Sequence, residues 1–253
     1  MTKSQAGAAG ATELPLTMSA AMAGITRYHD YLWGQVQPWL GSRVMEVGVG
    51  FGHYTRRMLS EGRSVLGCDL DEGHLRDLRA SVSSPLLETL RLDLCAPEPA
   101  RAKGAAFGPD TIVLLNVLEH IADDRSALAF LREVTAPGGR LVLIVPSLAF
   151  LHNGLDREAG HHRRYSRGAL LAALAGAGWS AERARYINLP GVPGWMAAGL
   201  LSRASRSKTD LNAPSTNALL RLYDRFFVGL SRVSDPLASR LAGLSLVAVA
   251  TRR

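Results

Sequence analysis

The chain has 253 residues, 47% hydrophobic and 20% charged, enough to bury the core of one large α/β domain and too apolar for a disordered chain. No apolar run reaches the roughly 18–20 residues that span a bilayer, and the first residues lack the continuous apolar centre of a signal peptide. Its two cysteines, Cys68 and Cys95, indicate neither a disulfide framework nor a cysteine zinc site, and reduced thiols in a cytoplasmic protein are the expectation. Of the net charge of +7, residues 190–253 supply +6, from nine Arg/Lys against three Asp. Basicity confined to one segment does not make a long phosphate track, so a nucleic-acid partner is not expected.

Residues 1–17 read as a flexible lead and 18–42 as a helical lid segment around RYHDYLW. Arg43–Val47 reads as the first strand, followed by a helix from about Tyr54 to Ser60. Ser64–Cys68 is a second strand that ends at Asp69, before a helix near Gly73–Ala80. Thr89–Leu92 is a short third strand ending at Asp93, and Thr111–Leu115 a fourth ending at Asn116. Arg140–Val145, after the turn Pro137-Gly138-Gly139, is the fifth. A helix near Arg167–Ala177 stops at Gly178, and Ala181–Ile187 and Ser245–Thr251 are the last strand candidates. Alternating strands and helices point to an α/β fold with a parallel, doubly wound sheet over 43–189, completed by 244–253. Residues 190–243 are too long for a hairpin loop and read as a helical insert, with Leu219, Leu222, Tyr223, Phe226, Phe227, Leu230 and Val233 at helical spacing.

In a doubly wound sheet, ligands bind beyond the carboxyl ends of the strands. The first strand runs into VMEVGVGFGHY, where Gly48, Gly50 and Gly52 alternate behind Glu46. A dinucleotide loop wants G-x-G-x-x-G, and its third position here holds His53. The pattern E-x-G-x-G-x-G instead resembles motif I of the class I S-adenosylmethionine-dependent methyltransferases. Asp69, 21 residues beyond Gly48, matches the acid that accepts the ribose hydroxyls, with Asp71 as its neighbour. Asp93, in RLDLCAP, matches the position that meets the adenine amino group, and Asn116 opens NVLEHI, the loop at the methionine end. PGGRLVLIVPS is similar to the family's entry to strand five. The resemblance covers residues 26–189 and the final strand. It implies a Rossmann-like, seven-stranded, mostly parallel sheet with an antiparallel last strand, and S-adenosyl-L-methionine as cofactor. It also implies that Glu46 lies near the cofactor's amino group and that the N-terminal segment, with Tyr28, Tyr31 and Trp33, covers the cofactor.

For the acceptor side, methyl transfer to a hydroxyl or protonated amine is helped by a proton acceptor, and histidine suits neutral pH. His53 and His74 read as local polar contacts, whereas His29 sits in the lid segment and is a second candidate base. The stretch LHNGLDREAGHHRRYS resembles the D-x(4)-G-H-x-R-R-Y segment of the family's small-molecule branch, type 11/12-like, where metal is not the rule. His161 is therefore the expected base or acceptor-orienting group, and no metal site is expected despite His152, Asp156, His161 and His162. His120, Arg163, Arg164 and Tyr165 are expected to meet the acceptor, guanidinium forks suiting an acidic one. The alternative is that the arginines pair with Asp156 and Glu158 and hold the loop. These readings converge on methyl transfer to a small molecule, acidic or amphipathic and from secondary metabolism. O-methylation is slightly favoured over N- or C-methylation. A lipid or lipid-linked glycan at a membrane touched by 190–243, or an RNA, is the alternative acceptor.

Overall fold

The computed structural model describes residues 24–204 and 223–253. The lead 1–17, residues 18–23 of the lid segment, and Leu219, Arg221 and Leu222 of the amphipathic stretch lie outside the described residues. In chain order the main elements are α1 (Thr26–Val36), β1 (Arg43–Val47), α2 (His53–Ser60), β2 (Ser64–Asp69), α3 (Glu72–Ser81) and β3 (Leu87–Arg91). There follow α4 (Glu98–Phe107), β4 (Thr111–Leu115), α5 (Asp124–Val134), β5 (Arg140–Pro146), α6 (Gly154–Glu158), α7 (Arg167–Gly176) and β6 (Trp179–Ile187). The chain then makes α8 (Gly191–Ala204), a π turn at Tyr223–Phe227, α9 (Val228–Ala238) and β7 (Ser245–Arg252).

The seven strands form one sheet in the order β3-β2-β1-β4-β5-β7-β6. β1 to β5 run parallel, and β7 lies antiparallel to both β5 and β6, as the family resemblance implies. Strand residues alternate between two buried faces, as the pleat requires. Met45, Leu66, Ile112, Leu114, Leu141, Leu143 and Ala248 point to the side covered by Phe107, Leu128, Leu131, Leu170 and Leu174 of α4, α5 and α7. Val44, Val65, Val113, Val142, Ile144 and Val247 point to the other side, under Tyr31, Leu32 and Val36 of α1, Met58 of α2 and Val228 of α9. The strand order reverses between β1 and β4, so the loops after those strands flank the switch point.

Differences from the sequence reading are local. β3 starts and ends earlier than predicted, leaving Asp93 two residues beyond its end, and β6 begins at Trp179, whose indole N–H donates to the Leu128 carbonyl. Three helices, α4, α5 and the short α6, fall where the sequence suggests none. α4 carries an internal Gly104 that packs on Val134, and α5 is capped by the Asp123 side chain on the Ser126 amide.

Candidate active site

β1 delivers the chain into a loop in which all three alternate glycines have positive φ: 84° at Gly48, 49° at Gly50 and 72° at Gly52. That left-handed backbone is cheap only for glycine. Space forbids a side chain as well: a Cβ on Gly48 would lie 2.6 Å from Val117 Cγ2, and one on Gly52 2.7 Å from Leu78 Cδ1. The Gly48–Val117 approach presses the loop after β4 directly onto the glycine loop. Beneath them Glu46 is buried, its carboxylate accepting from the Thr55 hydroxyl. Burial drives this carboxyl up to about 8; the Thr55 hydroxyl opposes the rise and the charge of Asp69 adds to it.

Asp69 ends β2 with Oδ2 accepting from Gly50 N at 3.1 Å and Oδ1 from Asp71 N at 3.0 Å. Asp71 caps α3 through Gly73 N, so it is a helix cap and the lesser ribose candidate. Asp93 Oδ1 accepts from Cys95 N at 2.8 Å, an Asx turn that fixes the carboxylate at the edge of the sheet. Asn116 follows β4 in the left-handed region (φ 55°), which asparagine tolerates, and its amide donates to Ile144 O.

α1 lies over this edge. Asp224 accepts from Tyr28 N at 2.7 Å and from Arg27 N, so the π turn caps the helix. The Tyr28 ring packs edge-on against Tyr223, and its hydroxyl reaches the side chains of Ser245 and Asn188. His29 faces the glycine loop: it stacks on His53 at 4.6 Å and pairs through Nδ1 with the Tyr54 hydroxyl at 3.0 Å. Trp33 stacks on Tyr54, whereas Tyr31 is buried, its hydroxyl bonded to Asp235, and is a core residue. Of the two candidate bases, His29 thus belongs to the lid cluster and His161 to a separate one.

The acceptor side is built on the loops after β4 and β5. His161 is buried and its Nδ1 meets Asp156 Oδ1 at 2.9 Å. Asp156 also takes Arg164 Nε on both oxygens (2.8 and 2.9 Å) and the Asn153 amide. Burial pushes the Asp156 carboxyl up, but the hydrogen bonds and charge of His161 and Arg164, with that amide, outweigh it and hold the group down at about 2. Arg163, Arg164 and Tyr165, expected to meet the acceptor, are instead engaged within the protein. Arg164 is buried between Asp156, Ser147 O and the Trp195 ring, whose centroid lies 4.5 Å away. Arg163 bonds to Asp124 and Ala122 O, and the Tyr165 hydroxyl donates to the same Asp124. The arginine pairing foreseen as the alternative therefore holds for Asp156; Asp124 takes the place of Glu158. The backbone bond from His162 N to Glu119 O, 2.9 Å, draws the two loops together. Glu119 is wholly buried, and burial raises its carboxyl to about 8. His120 meets the His161 ring edge-on at 4.7 Å; burial and His161 lower it to about 4, against a backbone hydrogen bond at Gly160.

A family model described as "Methyltransferase domain" matches residues 45–141, from within β1 to the start of β5. Residues 45–141 belong to a methyltransferase domain. A ubiquinone biosynthesis O-methyltransferase of Ruegeria pomeroyi is 32% identical over 106 residues, 42% of this chain and 42% of that protein. The chain thus spans well under two thirds of the length of that curated relative. Among solved structures, an S-adenosylmethionine-dependent methyltransferase from Mesorhizobium loti shares the fold with a TM-score of 0.58 at 18% identity, over 88% of this chain and 98% of that one. A Haemonchus contortus phosphoethanolamine N-methyltransferase, solved with S-adenosyl-L-methionine, gives 0.55 at 16% identity, over 96% and 60%.

The residues at this sheet edge fit S-adenosyl-L-methionine. Four amides of the glycine loop are already engaged: Gly48 N and Val49 N donate to Cys68 O, Gly50 N to Asp69 and Gly52 N to Val49 O. What remains is a side-chain-free cradle with a carboxylate on each side, suited to a cationic, phosphate-free nucleoside. Sequence reasoning missed Glu119 as a site residue, although an acid inside the apolar run NVLEHI is a usable signal. It also missed Asp124, Asp235 and Trp195, whose partners lie 41, 204 and 31 positions away in sequence and carry no local signature. A groove along β6, lined by Trp39, Arg167, Arg183 and Arg240 among others, shares no residue with these loops. Among the described residues, no helix is long and apolar enough to cross a membrane.

Proposed function

We propose that the protein transfers a methyl group from S-adenosyl-L-methionine to a small molecule, at oxygen in preference to nitrogen or carbon. The observation that carries the reading is the juxtaposition of two built sites at one sheet edge, the glycine cradle and the Asp156–His161 pair, joined through the loop after β4. In this reading Glu46, the three glycines, Asp69, Asp93 and Asn116 hold the cofactor, and Tyr28 and His29 cover it. When bound, the sulfonium supplies an activated methyl and a good leaving group, so the protein's task is alignment and exclusion of water. Asp156 fixes the proton on His161 Nδ1, which leaves Nε2 to orient the acceptor or take its proton. Arg164 and Trp195 hold that pair rigid. Calorimetry with S-adenosyl-L-methionine tests the reading: micromolar binding is expected, lost in Gly50→Val and weakened at least about 100-fold in Asp69→Ala, which removes two charge-assisted bonds of roughly 1.5–3 kcal/mol each. Tight binding of a nicotinamide dinucleotide instead would overturn it.

A second reading concerns where the acceptor comes from. Phe226, Leu230, Val233, Leu237 and Leu241 are 53–85% exposed, in company with exposed Arg225, Arg232 and Arg240. An apolar stripe among cations favours an amphiphilic acceptor drawn from an anionic lipid surface. Failure to co-sediment with anionic liposomes would remove this second reading and leave the first standing.

A further inference from the structure

We propose that Glu119, His120 and His161 bind a divalent transition-metal cation. One donor atom from each lies within 4.8 Å of the others, and Glu119 Oε1 stands 4.0 Å from His161 Nε2. That gap is too long for a hydrogen bond. Two donors bound at roughly 2.0–2.2 Å to one ion lie at most about 4.4 Å apart, so a small inward movement completes the set. Both carboxylate oxygens of Glu119 and Nε2 of His161 are buried with no hydrogen-bond partner among the described residues. A carboxyl buried in this way is costly unless something compensates it, and a cation compensates all three atoms at once.

A second, independent feature points the same way. His161 Nδ1 lies 2.9 Å from Asp156 Oδ1, an acceptor fixed in place by Arg164 Nε and the Asn153 amide, so Nδ1 donates and Nε2 is turned toward Glu119. This carboxylate–histidine arrangement orients an imidazole as a metal ligand. The sequence predicts no metal because it looks within residues 152–162, where Asp156 is consumed by Arg164. The ligand set forms across two loops, clamped by the bond from His162 N to Glu119 O.

Two imidazoles and one carboxylate suit zinc, cobalt or ferrous iron rather than magnesium or calcium. Three protein donors leave at least one position open, as in catalytic rather than structural sites. That position takes an acceptor hydroxyl, which orients the oxygen and lets its proton pass to solvent; His161 is then a ligand and not a base. This role rests on the methyl-transfer reading, whereas cation binding does not.

The test titrates chelator-stripped protein with Co2+, followed by visible absorption, and with Zn2+ by calorimetry. One equivalent is expected to bind with micromolar or tighter Kd. Glu119→Gln, close to isosteric, and His120→Ala should each weaken binding 100-fold or more, and Asp156→Asn about 10–100-fold by releasing the His161 ring. His162→Ala, at an exposed neighbour, should leave it unchanged. Circular dichroism melts establish that the variants fold. No stoichiometric binding, or parent-like affinity in folded Glu119→Gln and His120→Ala, overturns the site. S-adenosyl-L-methionine titrated into the same samples separates the two ideas. Cofactor binding without Co2+ binding overturns the cation site alone, and the reverse overturns the methyl-transfer reading alone.

Discussion

Replacing Glu46 by glutamine isolates the cost of burying an acid beneath the glycine loop. The carboxyl is raised from 4.5 to about 8, with burial the main cause. Between those values the folded chain keeps a proton that the unfolded chain gives up, so stability falls as pH rises through the window and is flat outside it. At about 1.4 kcal/mol per unit, the whole shift amounts to roughly 5 kcal/mol, of which about 3 is lost by pH 7 and under about 1 by pH 5. Glutamine keeps an oxygen for the Thr55 hydroxyl and does not titrate. Cofactor-free melts of parent and variant at pH 5 and pH 7 should therefore diverge by about 2–3 kcal/mol, with the variant gaining at the higher pH. For a chain of this length that is a widening of roughly 5–10 °C in Tm. The buried Glu119 titrates in both proteins and cancels in the comparison. Melting curves that stay parallel across this range would show that Glu46 is ionised in the folded chain and that the physical account of the loop is wrong. On the proposed reading the variant also binds S-adenosyl-L-methionine more weakly, since a neutral amide cannot complement a cationic amino group.

Asp235→Ala leaves the Tyr31 hydroxyl and the Leu189 amide without their acceptor, while the Asn188 amide keeps the Tyr31 oxygen. At roughly 1–3 kcal/mol for each of the two orphaned groups, denaturant unfolding should show a loss of about 2–6 kcal/mol. Arg164→Ala strands the buried Asp156 carboxylate and should cost about 3–5 kcal/mol in the same assay, while the double variant Arg164→Met/Asp156→Leu should recover most of it. Gly48→Ala meets both a positive φ and the Val117 methyl; a loss of at least about 2 kcal/mol is expected, partly restored by Val117→Ala, and no coupling between the two sites would refute the contact.

The parts of this molecule legible in its sequence are those governed by local rules. Strands β4 and β5 announce themselves because both sheet faces are buried, so their apolar runs are unbroken and end in turn residues. The alternate glycines are legible because each needs a left-handed backbone that few other residues accept. The edge strand β3 is blurred because only one side of it is paired, and its half-buried pattern constrains its ends weakly. Arg163, Arg164 and Tyr165 are misleading for a different reason. A run of cations in a loop on the ligand side of a sheet looks like an acceptor clamp. Only the fold shows that Asp124 and Asp156 meet them first. Glu119 is the opposite case, a residue that looks like a helix-start partner until burial strips it of hydrogen bonds.

The position of β7 governs when this sheet can be finished. Residues 245–252 insert between β5 and β6, and among the described residues β6 pairs with no other strand. During synthesis β5 therefore presents a long apolar edge, and β6 has nowhere to pair, for the roughly hundred residues that separate β5 from β7. Exposed strand edges invite pairing with other chains, and contacts this distant in sequence form late. The most vulnerable stage in the life of this protein is the chain that has made β6 but not yet β7. Losing the final strand would do more harm than losing a segment of similar length from α1, because it would open the middle of the sheet rather than trim its cover.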